Sequence, residues 1–143
     1  MMTDDNSILS AVGEKEARLK NPLVLAYVGD TIYDLYIRTY LVKRFRYPVN
    51  TLNKMAASLV NAGSQSKALE IISGELTEDE EYIVKRGRNS SPQTMAKNMS
   101  RSDYLRATGL EALFGYLYLS GKYDRIETLM NMIIDKMVAE DEQ

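Results

Sequence analysis

Hydrophobic and polar residues recur along most of the chain at the spacing of helices, and we find no hairpin pattern of paired strands. Asn21 and Pro22 predict a helix start, and the apolar residues that follow to about Phe45 lie on nearly every face of the helix. A helix that is apolar all round is typical of the centre of a domain. Its β-branched residues leave a short buried strand as the alternative, but the length of the segment favours helix.

Further helical patterns follow the turn at Pro48 and Asn50. Thr77 and Glu80 form the pattern of a capping box and predict the start of a short helix. The stretch from Arg86 to Ser102, RGRNSSPQTMAKNMSRS, is rich in turn-forming residues and predicts a long loop, which in a compact domain is usually functional or disordered. The predicted helices cover 51–61, 63–73, 77 into the basic 85–87 segment, 103–120 and 123–139.

These patterns predict an all-α fold with one folded domain, because 143 residues fit one domain well and two poorly. We assign this domain to 21–139, after an N-terminal segment 1–20 that is helical in part and before an acidic, frayed tail 140–143. The acidic start lacks the features of a secretory signal, and Asp30 and Asp34 interrupt the best candidate for a membrane span. We therefore expect a cytoplasmic protein with no membrane contact.

Histidine and cysteine are both absent from the chain. Their absence excludes zinc hydrolysis by histidine or thiolate ligands, Ser-His-Asp triads and Cys-His nucleophiles. Any hydrolytic chemistry must therefore use carboxylates, hydroxyls, Lys or Arg, or hard oxygen-bound cations such as Mg²⁺.

Carboxylates stand inside two of the most apolar segments. Asp30 and Asp34 are one turn apart on the first long helix, and Glu111 lies in the run LEALFGY. An ionised carboxylate among apolar residues is costly unless it is paired or binds a metal. Gly29 and Gly115 permit close backbone approach, so the two segments can converge on one cation. The alternative is that each carboxylate is paired, capped or faces water.

Basic residues are concentrated around the predicted loop, although the formal net charge is -2. Such segregation can give an acidic protein one basic face for phosphates. An ordinary solvated surface of mixed charge is the alternative. The candidates for contact with phosphates are Lys85, Arg86, Arg88 and Lys97.

Several motifs together resemble a known family. The segment LAYVGDTIY (25–33) resembles the ribonuclease III signature, and TGLEALFG (108–115) resembles that family's second acidic motif. LVNA (59–62) and KRGRN (85–89) resemble the short Mini-ribonuclease III variant, a catalytic domain without a double-stranded-RNA-binding domain. The resemblance extends from about Asn21 to Met137.

The resemblance implies a helical endonuclease domain that dimerises and cuts double-stranded RNA with Mg²⁺, with Mn²⁺ able to substitute. The family's metal-binding and catalytic carboxylates correspond to Asp30 and Glu111. Two further carboxylates of the family are missing here, since Ala26 and Thr108 stand at their positions. Water and RNA phosphate oxygens are expected to complete the metal shell. Asp34 is a candidate for orienting a metal-bound water, with plain solvation as the alternative.

The same resemblance extends to partners. Tyr27 occupies an aromatic position that in larger relatives helps to hold the dimer, with core packing as the alternative. The group is associated with maturation of large-subunit (23S) ribosomal RNA precursors, and no DNA partner is expected. A non-catalytic RNA-binding protein of ribosome assembly is the alternative function, and a helical protein–protein adaptor is a third.

Overall fold

Local side-chain caps determine where most of the helices begin. The computed structural model describes residues 7–90 and 100–141, and every regular element in those ranges is helical. The α-helices are α1 (Glu14–Leu19), α2 (Pro22–Arg44), α3 (Val49–Val60), α4 (Ala62–Ile72), α5 (Glu78–Arg88), α6 (Arg101–Leu119) and α7 (Tyr123–Asp141). A short 3₁₀ turn, Ser73–Glu75, follows α4. The all-α prediction is confirmed.

The predicted caps of α2 and α5 are present. The Asn21 side chain accepts a hydrogen bond of 2.8 Å from the Leu23 amide, with Pro22 in the first turn. Thr77 and Glu80 form the reciprocal capping box, because the Glu80 amide donates to Thr77 Oγ1 and the Thr77 amide donates to Glu80 Oε1. Each cap satisfies backbone amides that the helix leaves free, so these starts were predictable from local sequence.

Helix α6 occupies the centre of the described core. Every residue from Ala107 to Leu117 except Glu111 is buried, and α2, α4 and α5 pack around this segment. Tyr33 of α2 meets Phe114 of α6 edge to face, with ring centroids 5.7 Å apart. Helix α1 also joins the core through Ala17, which is fully buried.

Helix α2 differs from its prediction, because it is buried on one side only. Its inner side packs on α6, whereas an outer stripe of large apolar side chains is exposed. The apolar pattern was read correctly as a helix, but placing that helix in the middle of the domain was wrong. A helix with hydrophobic residues on every face does not show which of its faces the rest of the chain covers. We call the exposed set the α2 stripe: Leu23, Val24, Tyr27, Leu35 and Val42.

The predicted long loop is shorter at both ends than the sequence suggested. Helix α5 continues through Arg88, and α6 begins at Arg101, where Ser100 Oγ accepts a hydrogen bond from the Asp103 amide. The middle of the predicted loop, with the candidate Lys97, lies outside the described residues. Within the ranges 7–90 and 100–141, no helix is both long enough and apolar enough to cross a bilayer.

Candidate active site

Asp30 and Glu111 meet where α2 crosses α6. Gly29 lies against the Glu111 carbonyl, and a β-carbon at this glycine would overlap that backbone. Gly115 lies in the same way against the Leu25 carbonyl. The two helices therefore approach at backbone distance, and this closeness brings the carboxyl groups of Asp30 and Glu111 side by side. The convergence that the two acidic segments suggested is present in the structure.

The two carboxyl groups differ in their surroundings. Asp30 is exposed, whereas Glu111 is half-buried between helices. Burial, followed by the hydrogen bond and negative charge of Asp30, raises the pKa of Glu111 to about 8. Two carboxylates in contact cannot both be ionised cheaply, so one retains a proton near neutral pH unless a cation takes its place.

Gln65 of α4 is a third polar side chain at this point, and the sequence analysis did not identify it. It is 3% exposed, and its Nε2 has no hydrogen-bond partner among the described residues. The Gln65 amide acts on Glu111 in the opposite sense to Asp30, because it lowers the pKa of that carboxyl. A signal was available, since Gln65 precedes Leu69 and Ile72 at helical spacing and so occupies a position expected to be apolar.

At the two positions where the resemblance implies further carboxylates, the structure has no acidic side chain. Ala26 is buried, and Thr108 Oγ1 donates to the Tyr104 carbonyl of its own helix at 3.0 Å. Throughout residues 7–90 and 100–141, no group of three or more acidic side chains is arranged to hold a metal. The oxygen donors present, Asp30 and Glu111, suit a hard cation that keeps several of its waters, as Mg²⁺ does.

Asp34 is engaged by a residue of its own helix. Arg38 Nε donates to Asp34 Oδ2 at 2.8 Å, one turn further along α2. This ion pair is the kind of local solvation that the sequence analysis gave as the alternative to a role beside the metal. The role of Asp34 in orienting a metal-bound water stays a prediction.

The predicted RNA-binding cations have different environments. Lys85 and Arg88 are exposed at the end of α5, where they line a cavity of about 590 Å³ together with Arg106 of α6. Arg86 is half-buried, and its Nη1 donates to the Arg18 carbonyl at 2.7 Å. The side chain of Arg86 also lies over the Tyr82 ring, 5.6 Å from its centroid.

Tyr27 is the most exposed member of the α2 stripe, at 81%. The alternative interpretation, that this ring packs in the core of its own chain, is therefore wrong. Leu23 and Val24 lie about one turn before it, Leu35 about two turns after it and Val42 about four turns after it, all on the same side of α2. The structure thus presents exposed apolar side chains on the helix that carries Asp30, with Thr31 and Arg38 interrupting the stripe between Tyr27 and Val42.

Comparison with known proteins gives a consistent result. Residues 23–122 match the family model described as the ribonuclease III domain. The chain is 46% identical to Mini-ribonuclease 3 of Enterococcus faecalis, in an alignment that covers 82% of this chain and 90% of the relative. It is 40% identical to Mini-ribonuclease 3 of Staphylococcus aureus, with coverage of 85% of this chain and 92% of the relative. It is also similar to a crystal structure of a Fusobacterium nucleatum protein, with a TM-score of 0.77, 36% identity and coverage of 85% and 93% of the two chains.

Proposed function

The chain belongs to the ribonuclease III family, in its Mini-ribonuclease III group, and is an endoribonuclease; on this premise we propose that it hydrolyses double-stranded RNA with Mg²⁺. Mn²⁺ is expected to substitute for Mg²⁺. The observation that supports this proposal most directly is the meeting of Asp30 and Glu111 at the crossing of α2 and α6. Family enzymes depend on divalent metals, and this pair is the acidic cluster that fits one.

Asp30 and Glu111 are the residues that would hold the ion. When bound, a divalent cation there neutralises charge on the scissile phosphate and lowers the pKa of an attacking water. Glu111 supplies a carboxylate whose position is restricted by the packing of α2 against α6. Asp30 supplies an exposed carboxylate on the side from which RNA can approach. The raised pKa of Glu111 means that the protein without metal holds a proton where the ion would bind.

Binding of RNA is assigned to the basic end of α5. Lys85 and Arg88 are exposed there, and Arg106 adds a third cation to the same cavity. A-form RNA is recognised largely through its shape and backbone, so contacts with phosphates suffice for affinity. Lys97 belongs to the same proposal on sequence grounds, as does Arg86, whose guanidinium is partly engaged by the Arg18 carbonyl.

We also propose that the enzyme is a homodimer that pairs through the α2 stripe. Exposed apolar stripes of this kind are typical of surfaces that another protein covers. The stripe lies on the helix that carries Asp30, so a two-fold contact would place two sites across one duplex and give a staggered cut. Sedimentation should return about twice the 16.2 kDa chain mass, and Tyr27→Arg should reduce it to one chain. A monomeric wild type that still makes staggered cuts would contradict this geometry.

The natural substrate is proposed to be a precursor of large-subunit (23S) ribosomal RNA. Support for this part comes from the group to which the chain belongs, not from a specific contact. Cells that lack the enzyme should accumulate 23S precursors with unprocessed ends, and the purified enzyme should convert those precursors at the same ends. Normal ends in such cells would assign the activity to another duplex.

The central test separates cutting from binding. Purified protein is incubated with a long RNA duplex in Mg²⁺, in Mn²⁺ and in EDTA, with single-stranded RNA and duplex DNA of the same sequence as controls. The proposal predicts cleavage of duplex RNA alone, and only with metal. Binding without cleavage would indicate a non-catalytic RNA-binding protein, and failure to bind would indicate a helical adaptor.

A further inference from the structure

A buried amide occupies a core position at the candidate active site. Gln65, Leu69 and Ile72 share one side of α4, a helix that packs on α6, and all three are nearly or fully buried. An apolar residue is the usual occupant of such a buried position. Burying an amide without a hydrogen bond is unfavourable. The presence of glutamine therefore calls for a specific partner.

The partner that the structure offers is Glu111. Gln65 Nε2 is inaccessible to solvent and has no hydrogen-bond partner within the described part of the chain. The side chain nevertheless lies beside the Glu111 carboxyl, which it affects as a donor does. A small movement of the amide or of the carboxyl would therefore complete a hydrogen bond from Gln65 Nε2 to Glu111.

We propose that Gln65 is a positioning residue for the metal site, whose Nε2 donates a hydrogen bond to the Glu111 carboxylate and fixes its orientation toward the cation beside Asp30. The inference rests on the proposed function, since it assumes that Asp30 and Glu111 hold the ion. Partners that orient a metal ligand in this way typically contribute about 10- to 100-fold to metal affinity or activity.

The chemistry of the side chain suits this role. An arginine at position 65 would pair with Glu111 and compete with the cation, and a further carboxylate would add to the repulsion from Asp30. A neutral donor orients the carboxylate and leaves its charge available to the metal. Gln65 thus supplies order to a site in which Ala26 and Thr108 replace carboxylates of larger relatives.

Gln65→Met is the principal test, because methionine keeps the unbranched shape and length of glutamine and removes the donor. Three quantities are measured on one preparation: melting temperature in EDTA, Mn²⁺ affinity by electron paramagnetic resonance, and cleavage rate against Mg²⁺ concentration. We expect an unchanged or higher melting temperature, with Mn²⁺ affinity and cleavage at limiting Mg²⁺ each reduced about 10- to 100-fold. Ser66→Ala, at the buried neighbouring position, is the matched control. It should change neither the Mn²⁺ affinity nor the cleavage rate by more than about twofold.

A lower melting temperature with unchanged Mn²⁺ affinity would make Gln65 a structural residue and overturn the inference. Gln65→Glu provides the second test, because it keeps the size of the side chain but replaces the donor with an acceptor. Full activity and Mn²⁺ affinity in Gln65→Glu would overturn the donor role in favour of direct ligation. Asp30→Asn is measured alongside: equal Mn²⁺ binding by Asp30→Asn and the wild type would refute the metal site itself, independently of Gln65.

Discussion

Glu80 and Glu111 are both carboxyl groups packed between helices, yet their surroundings push their pKa values in opposite directions. Glu80 is 4% exposed and accepts two hydrogen bonds from Arg125, at 2.8 and 2.9 Å. Burial raises the pKa of Glu80, but the hydrogen bonds from Arg125 and Thr77 outweigh burial, and the pKa lies below its usual value. Burial, followed by the hydrogen bond and negative charge of Asp30, raises the pKa of Glu111 to about 8.

Burial acts in the same direction on the pKa of both carboxyls, so the charge of the neighbour separates the structural carboxylate from the candidate ligand. Glu80 is the more buried of the two, but its charge is balanced by an arginine and its oxygens also complete a helix cap. Glu111 has a neighbour of the same charge. An arrangement that is unfavourable in the free protein becomes favourable when a cation enters.

The largest effect is expected when each carboxylate charge is removed in turn and cleavage is measured. Asp30→Asn and Glu111→Gln keep shape and remove one ligand each, so we expect each to lower the rate of duplex RNA cleavage by about 100-fold or more. Glu80→Gln, the matched control, should cut at a rate within about threefold of the wild type. Near-native cleavage by Asp30→Asn would refute the assignment of the site.

The second prediction concerns pH and the metal-free protein. Because the folded state raises the pKa of Glu111, it keeps a proton that the unfolded state releases. The resulting stabilisation is fully present below about pH 4.5 and is lost as pH rises toward 8. In EDTA, the free energy of unfolding should fall between pH 5.5 and 9 by an amount on the order of 2–4 kcal/mol.

Glu111→Gln cannot titrate at this position, so its stability should be much flatter across the same pH window. Mg²⁺ should also reduce the slope in the wild type, because it replaces the proton between the carboxylates. Parallel stability curves for the wild type and Glu111→Gln would contradict the raised pKa.

The structural role of Glu80 should appear as a loss of stability when its charge is removed. Glu80→Gln weakens two charge-assisted hydrogen bonds to Arg125, and we expect a loss of about 1.5–3 kcal/mol in the free energy of unfolding. Glutamine still completes a capping box, so the start of α5 should persist. Chemical denaturation at pH 7 measures the loss. The cleavage rate is also measured at temperatures where Glu80→Gln is fully folded. A loss as large as that of Asp30→Asn would show that the Glu80 carboxylate also serves the reaction.

Local sequence determined the features that were predicted well. Asn21 and Thr77 predict helix starts because their side chains accept hydrogen bonds from backbone amides two or three residues further along the chain. Asp30 and Glu111 could be singled out because charge is rare in apolar segments. Their convergence was proposed from the glycines beside them, which is also the feature that permits the crossing of α2 and α6.

Features that depend on packing between distant segments could not be predicted in the same way. Gln65 becomes meaningful only when α4 is seen against α6 and Glu111. Arg86 was a candidate for phosphate contact because of its charge alone, but it donates to the carbonyl of Arg18, which is 68 residues away in the sequence. The exposure of Tyr27 could not be decided from the sequence, because an aromatic residue in an apolar helix fits a core position and a contact with another chain equally well.

The smallest effect is expected at the basic end of α5, where engaged and exposed cations stand side by side. Arg86 donates to the Arg18 carbonyl, whereas Lys85 and Arg88 are exposed beside Arg106. We replace Lys85 and Arg88 with glutamine, because the stem of Arg88 packs close to Gly109 and alanine would disturb that contact. Each lost phosphate contact should reduce the log–log salt slope of RNA affinity by up to about one unit.

The cleavage rate at saturating RNA should change little in the Lys85 and Arg88 variants, because these side chains bind the ground state and the transition state about equally. Arg86→Ala should behave in the opposite way. It leaves the Arg18 carbonyl without its donor and should lower the melting temperature, while the salt slope stays close to that of the wild type. Salt slopes and melting temperatures measured on the same three variants show which of these cations contact RNA. A reduced slope in Arg86→Ala would place Arg86 on the RNA-binding surface. Unchanged slopes in Lys85→Gln and Arg88→Gln would remove this end of α5 from that surface.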